Sequence, residues 1–424
     1  MMLYAILFLT SQTVTDNIRF ERDDAIDFAL QNNPEIIQLQ IDADKADAGV
    51  GEARSSFYPS LSVSGYYAYV TDVSVFMMDS VPIPIGQHEN YDLQVSLQQV
   101  LFTWGKVYNA YRIANLNRDI AVMSLDRKKQ EVVYAVTTAF DGLLVLEEMT
   151  KLMRESLSQL QRHEEAVQKR YAAGLVPQFE LLRAQVQVAN FKPTLIQTEN
   201  GLNLAREGFK MLLGLPLDRE FEVVGELQYA EQAYDLEELT SAALANRAEI
   251  RNLETVEKMA QAGRSIAQTA NLPSVVAGAT YDRKRPFGLG GSDWGSNVTF
   301  SIGFQLPLFS GFRNLYSYKS AALKLKEARQ ARENLEKAVS LEVKQSYLNF
   351  LAAQEALSAA QENVNQAVKA FEIMETRYKS GLATNLEFMD AQLASTQAKT
   401  NYLNALKEYH ATIAGIRKAT GKEQ

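Results

Sequence analysis

The sequence predicts a mainly α-helical protein carrying membrane-type β-hairpins, built from a duplicated helix–β-hairpin–long helix–helix unit. Three observations carry this expectation. First, one turn stretch occurs twice, 207 positions apart. Tyr171-Ala172-Ala173-Gly174-Leu175-Val176-Pro177 with Phe179 to Gln185 matches Tyr378-Lys379-Ser380-Gly381-Leu382-Ala383-Thr384 with Leu386 to Gln392. Second, each copy ends a long run whose only glycine or proline is Gly142. Third, ahead of each run the apolar period switches from helical to two. Landmarks that agree in order and spacing mark an internal repeat.

Taken in order, helical periodicity from about Asp23 to Phe57 divides at Asn33-Pro34-Glu35-Ile36, where proline suits the first turn of a new helix. Tyr58-Pro59-Ser60 stops that helix, because proline pushes its predecessor out of helical space. A hairpin is expected over 59–104. Leu61, Val63, Gly65, Tyr67 and Tyr69 alternate with Ser62, Ser64, Tyr66 and Ala68. A loop with Pro82 and Pro84 follows, and the return strand alternates Leu93, Val95 and Leu97 with Gln94, Ser96 and Gln98. Lys106 to Tyr171 reads as one helix of about 100 Å. Gly174 is its left-handed terminator, and Pro177 fits the first turn of the next helix. That helix runs from about Gln178 to Leu213, with a kink expected at Pro193.

The second half repeats this order. Leu244 with Asn246-Arg247-Ala248-Glu249-Ile250 matches Leu30 with Asn32-Asn33-Pro34-Glu35-Ile36, and Leu272-Pro273-Ser274 matches Tyr58-Pro59-Ser60. A second hairpin is expected over 273–310, with strands Pro273–Asp282 and Ser296–Phe309 around a turn holding Arg283-Lys284-Arg285-Pro286. A second long helix ends at Tyr378, and Thr384 with Glu387 forms a capping box that opens the last helix. The repeats then span 20–216 and 217–424. Helices of about 24 and about 36 residues, laid end to end, would cover each long helix.

Composition narrows the function. The net charge of −8 and pI near 5.3 offer no basic face for nucleic acid. The chain has no cysteine, which removes thiolate chemistry and a lipid-modified N-terminal cysteine. His88, His163 and His410 lack ligand spacing, Gly288 to Gly291 has no phosphate-loop lysine, and no Ser–His–Asp arrangement is readable. No cofactor, metal or enzymatic activity is therefore expected. Leu3 to Thr10 reads as the apolar core of a signal peptide over residues 1–15. No run reaches the ~18–20 apolar residues of a spanning helix, so any crossing must be made by strands in a closed barrel. Four strands cannot close one, since spanning barrels begin at about eight. Several chains would have to pool their strands. Trp104, Trp294, Tyr91 and Tyr281 at strand ends fit interfacial belts.

These features together resemble the TolC family of bacterial outer-membrane efflux proteins. The resemblance runs from Asp23 to Gly421. It is carried by Leu30 with Asn33-Pro34-Glu35-Ile36, Tyr58-Pro59-Ser60, Pro307-Leu308-Phe309-Ser310-Gly311, Arg377-Tyr378 with Gly381, and Leu386 through Gln392. It implies a homotrimer with a twelve-stranded β-barrel on a long α-helical barrel. Such a trimer sits in the outer membrane, reaches into the periplasm, and works with a periplasmic adaptor (membrane fusion) protein and an inner-membrane transporter. By resemblance, Glu180, Arg183, Tyr378, Glu387 and Asp390 belong to the periplasmic gate. Gly174, Leu175, Val176, Gly381, Leu382 and Ala383 are the adaptor-docking tips. Some relatives carry an arginine where Ala383 stands. Leu93, Val95, Leu97, Val298, Phe300, Ile302, Phe304 and Leu306 would face lipid. Plainer explanations compete: first-turn acids suit the helix dipole, and turn glycines need no partner. A soluble, elongated coiled-coil scaffold with docking hairpins is the rival reading of the whole chain. It requires neither a signal peptide nor a strand face that is apolar throughout.

Overall fold

A computed structural model describes residues 18–79, 81–229, 231–288 and 292–421. The expected signal peptide and Leu289 to Gly291 of the second hairpin turn lie outside the described residues. The first half contains β1 (Ile18–Phe20), α1 (Arg22–Asn32), α2 (Pro34–Ser55), β2 (Ser60–Tyr69), β3 (Val75–Met78), β4 (Val81–Pro84), β5 (Glu89–Phe102), α3 (Lys106–Ala172) and α4 (Gln178–Leu213). The second contains β6 (Phe221–Val223), α5 (Leu236–Asn246), α6 (Ala248–Gln268), β7 (Ser274–Arg285), β8 (Gly295–Gln305), α7 (Arg313–Lys379) and α8 (Asn385–Thr420). The halves match closely: α3 and α7 have 67 residues each, and α4 and α8 have 36 each. No described helix is long and apolar enough to cross a membrane.

The chain packs as two units, and each draws on both halves. Of the described residues, one takes in those within 18–38, 125–248 and 336–421, the other those within 39–124 and 249–335. In the first unit an aromatic core joins Phe20, Phe221, Phe209 and Phe140 at centroid separations of 5.5 to 6.4 Å. Arg154 reaches Glu199 at 2.7 Å and Arg206 reaches Glu147 at 2.8 Å, tying α3 to α4. The parallel pair β1–β6 was not expected from sequence; at three residues each, these strands are too short to show a period.

Two junctions bear on the end-to-end packing of the shorter helices. Asn33 accepts from the backbone of Glu35 at 2.9 Å and donates its amide to the Leu212 carbonyl at 2.7 Å. The start of α2 is thereby capped and held against the end of α4 by one side chain. Gly214 closes α4 with φ of 74°, and an added Cβ would collide with the Asn32 carbonyl. In the second half Gly421 repeats this arrangement beside Arg247.

The second unit holds a four-stranded antiparallel sheet in the order β2–β5–β7–β8. The two hairpins meet through β5 and β7, and the Trp104 indole donates to the Pro273 carbonyl at 2.9 Å beside that seam. Glu257 of α6 binds Arg329 at 2.8 Å and Arg332 at 3.5 Å on α7.

Four expectations need correction. The segment with Pro82 and Pro84 is not a loop throughout: β3 and β4 form a small ribbon, tolerated because prolines can occupy strand edges. Strand β7 continues to Arg285, past Asp282. Strand β8 stops at Gln305 rather than Phe309, because Pro307 has no N–H to continue the ladder, so Leu306 lies beyond the strand. Pro177 is the extended N-cap of α4, with ψ of 156°, rather than a first-turn residue.

Candidate functional site

The sheet presents two chemically distinct faces, because side chains alternate along each strand. Leu97 pairs with Leu61 and Ala279, and Ala279 with Phe300; Val95 pairs with Val63 and Tyr281, and Tyr281 with Val298. These rows form one apolar face, which Leu93 and Ile302 share. The intervening rows form a polar face: Ser96 with Ser62 and Thr280, and Gln94 with Ser64 and Asp282. Gln94 donates to Asp282 across that face at 2.9 Å. Phe300, Ile302 and Phe304 are 81%, 78% and 77% exposed, while Val95 is half-buried between its neighbouring strands.

Aromatic residues mark both ends of the apolar band. At the turn end, Tyr91 lies 4.9 Å from Tyr67 and 5.6 Å from Trp294 between ring centroids; at the helix end, Phe102 lies 5.0 Å from Trp104. Eleven residue steps along β5 lead from Tyr91 to Phe102, about 37 Å along the strand. At a tilt of about 40° that is about 28 Å along the normal, close to the apolar band of a spanning barrel. The outer edges of β2 and β8 have no partner strand among the described residues.

The helix reversals of the first unit are built alike. In each, glycine takes positive φ, 72° at Gly174 and 74° at Gly381. Leu175 N–H donates to the Arg170 carbonyl at 2.9 Å and Leu382 N–H to the Arg377 carbonyl at 2.8 Å. Glycine N–H groups close the inner bonds to Tyr171 and Tyr378, completing two Schellman motifs. Leu175 and Leu382 are 72% and 71% exposed, whereas Val176 and Ala383 are half-buried. The expected capping box is present. Thr384 N–H donates to the Glu387 carboxylate at 2.7 Å, and Glu387 N–H donates to the Thr384 hydroxyl at 3.2 Å. The Thr384 backbone donor, then its hydroxyl, hold the Glu387 carboxyl below its usual range. Asp390 is exposed, Glu180 and Arg183 are half-buried, and none of the three forms an ion pair among the described residues.

Sequence reading missed the centre of this region. His163 on α3 is buried, and its Nε2–H donates to Asn385 Oδ1 of α8 at 2.6 Å. The ring packs 4.6 Å from Phe388 and 5.3 Å from Tyr378, with Arg170 over the far tyrosine. Burial pushes the imidazole below its usual pKa; the Asn385 hydrogen bond opposes this, while the Arg170 charge reinforces it. Two further polar contacts continue the α3–α8 seam: Gln392 donates to Gln159 at 3.4 Å, and Ser156 meets Thr396 at 3.2 Å. The Tyr378 hydroxyl, Asn385 Nδ2 and Gln392 Oε1 are buried without a partner among the described residues. The usable signal was the buried stripe Met153, Ser156, Leu160, His163 and Val167, whose three–four spacing puts a serine and a histidine in core positions.

A sheet with one apolar and one polar face, joined to two long helical hairpins, defines the class of outer-membrane channels with helical extensions. The family described as "Outer membrane efflux protein" matches residues 25–215 and 239–422, and the chain belongs to that family. It is 22% identical over 409 residues to outer membrane protein TolC of Vibrio cholerae, covering 93% of this chain and 89% of that one. It is 24% identical over 329 residues to the cobalt-zinc-cadmium resistance protein CzcC of Cupriavidus metallidurans, covering 75% and 74%. The crystal structure of VceC from Vibrio cholerae superposes with a TM-score of 0.80 at 20% identity, covering 94% of this chain and 96% of that one. The protein is thus an outer-membrane channel of the efflux and secretion type, and the soluble-scaffold reading falls away.

Proposed function

We propose that three copies of this chain pool their hairpins into a twelve-stranded barrel and their helices into a conduit through the periplasm. A periplasmic adaptor and an inner-membrane transporter then drive export through this passive duct. The observation that carries the reading is the sheet: an exposed apolar face, a polar opposite face and two open edges. Open edges are not viable in hydrocarbon, so neighbouring chains must cover them. The polar face then lines water and the apolar face meets lipid through Leu93, Val95, Leu97, Val298, Phe300, Ile302 and Phe304.

At the helix reversals, Glu180, Arg183, Tyr378, Glu387 and Asp390 form the gate, and the exposed Leu175 and Leu382 with their glycines receive the adaptor. The His163–Asn385 seam fastens α8 to α3 behind that gate. Its partly unsatisfied polar groups make it less costly to separate than a dry apolar seam. The test is extraction of the outer-membrane fraction in detergent, followed by mass determination and planar-bilayer recording. A conducting trimer is expected. A stable monomer with an intact sheet signal refutes the pooled barrel.

A further inference from the structure

Charge is confined to one end of the apolar face. On the four strands of the sheet, that face carries only Glu89, Arg283 and Arg285 as charged residues, all at the turn end. Arg283 stands in the row of Leu93 and Ser296, and Arg285 in the row of Tyr91 and Tyr67. Lys284, between them, points to the polar face in the row of Asp92. Neither arginine forms an ion pair among the described residues. Glu89 instead accepts from the Tyr91 hydroxyl at 3.4 Å, and Asp282 is engaged by Gln94 on the opposite face.

Both guanidinium groups are nonetheless positioned. Arg283 lies 5.7 Å from the Trp294 ring centroid, and Arg285 Nε donates to the Ser292 carbonyl at 2.6 Å. Among the described residues, the remaining donors of each fork meet neither carboxylate nor carbonyl. Two residues along one strand face separate them by about 7 Å. Arginine forks match phosphate oxygens bidentately, and an aromatic collar places this pair at headgroup depth.

We infer that Arg283 and Arg285, collared by Trp294 and Tyr91, form a binding site for the phosphorylated headgroup of a lipid in the outer leaflet. This rests on the barrel reading above, which turns the apolar face toward lipid and the hairpin turns outward. The geometry suits a headgroup bearing two phosphate monoesters, or two phosphates of adjacent lipids.

The experiment uses the detergent-purified full chain, after its trimeric mass is verified, titrated with bisphosphorylated lipid A. Parallel arms use enzymatically dephosphorylated lipid A and inorganic phosphate as competitor. Wild type and Lys284→Gln should bind the bisphosphorylated lipid alike. Arg283→Gln and Arg285→Gln should each weaken binding on the order of tenfold, and dephosphorylation should match the double variant. Equal binding of the dephosphorylated lipid, or equal loss in Lys284→Gln, overturns the site. Displacement by inorganic phosphate at the lipid's own concentration identifies a free-anion site instead and overturns the lipid assignment. Failure to obtain a trimer removes the barrel reading itself, whereas a trimer indifferent to lipid phosphate removes only this inference.

Discussion

Replacing Phe300 with arginine is expected to block membrane insertion, and the size of the effect follows from where Phe300 lies. The row Tyr91–Arg285 and the row Phe102–Val275 bound the apolar band, so its midpoint falls at Thr280 and Thr299. Each residue advances about 2.6 Å along the normal at a 40° tilt. Phe300 is then about 3 Å from the midplane, Ile302 about 8 Å and Phe304 about 13 Å. A basic side chain on the lipid face costs about 2–4 kcal/mol at the midplane, falling to about 0–1 near the interface. Arginine at 300 should therefore cost roughly 6–12 kcal/mol per trimer if the three copies act independently. Arginine at 302 should cost less, and arginine at 304 little. Ser301→Arg, on the polar face, should insert normally. The assay is denaturant titration of protein folded into phosphatidylcholine vesicles, followed by tryptophan fluorescence. Equal losses at 300 and 301, or a cost that does not fall from 300 to 304, would refute the assignment of this face to lipid.

Three further outcomes are expected. Three copies each of Glu180, Glu387 and Asp390 against three of Arg183 at the gate should make the channel cation-selective, and Asp390→Asn should weaken that selectivity in a planar bilayer more than Glu387→Gln, because Asp390 has no capping duty and glutamine can keep the box with Thr384; a reversal potential unchanged by Asp390→Asn would remove it from the gate. The buried His163 has a pKa below its ordinary 6.5, so the unfolded chain binds more protons there. Its contribution to stability is present above about pH 6.5 and is lost as pH falls below it. Protection of the Asn385 to Gln392 amides, taken relative to the intrinsic exchange rate at each pH, should fall toward about pH 5.5 in wild type but not in His163→Gln, and a wild type whose protection is unchanged would refute the sign. Leu382→Asp and Leu175→Asp should stop export while leaving the trimer in the membrane, since both leucines are exposed and support no core; full export would return these turns to plain helix termination.

The parts of this fold that were legible rest on local chemistry that only a few residues satisfy. Gly381 and Gly174 mark reversals because the backbone there has positive φ, and Thr384 with Glu387 announces a helix start because both reciprocal bonds need those side chains. The hairpins were legible because alternation along Leu93 to Gln98 has a single geometric meaning. The seam between α3 and α8 was not, because His163 and Asn385 lie 222 positions apart and neither belongs to a motif. A lone histidine in a helix gives no hint of its partner until packing brings one. Capping also changes how the gate acids compare. Sequence places Glu387 and Asp390 on one helix face and gives only Glu387 a capping duty; the structure forms both bonds of that box and leaves the Asp390 carboxylate uncommitted.

The pairing of β5 with β7 was illegible for a different reason. Alternation fixes which face of a strand is apolar, not which neighbour it chooses, and four similar strands in the proposed trimer allow pairing within or between chains. What selects the pairing lies beside the sheet: Trp104 donates to Pro273, and Lys106 reaches the carbonyls of Ala270 and Leu272 at 3.4 and 3.5 Å. These bonds join the end of one hairpin to the start of the next within one chain. The edges left over are β2 and β8, one from each half. A closed ring of three chains therefore needs a single kind of junction, β8 of one copy against β2 of the next, repeated three times. That contact is head-to-tail, and it makes a ring rather than a filament only when the rotation from one copy to the next returns to the first after three steps.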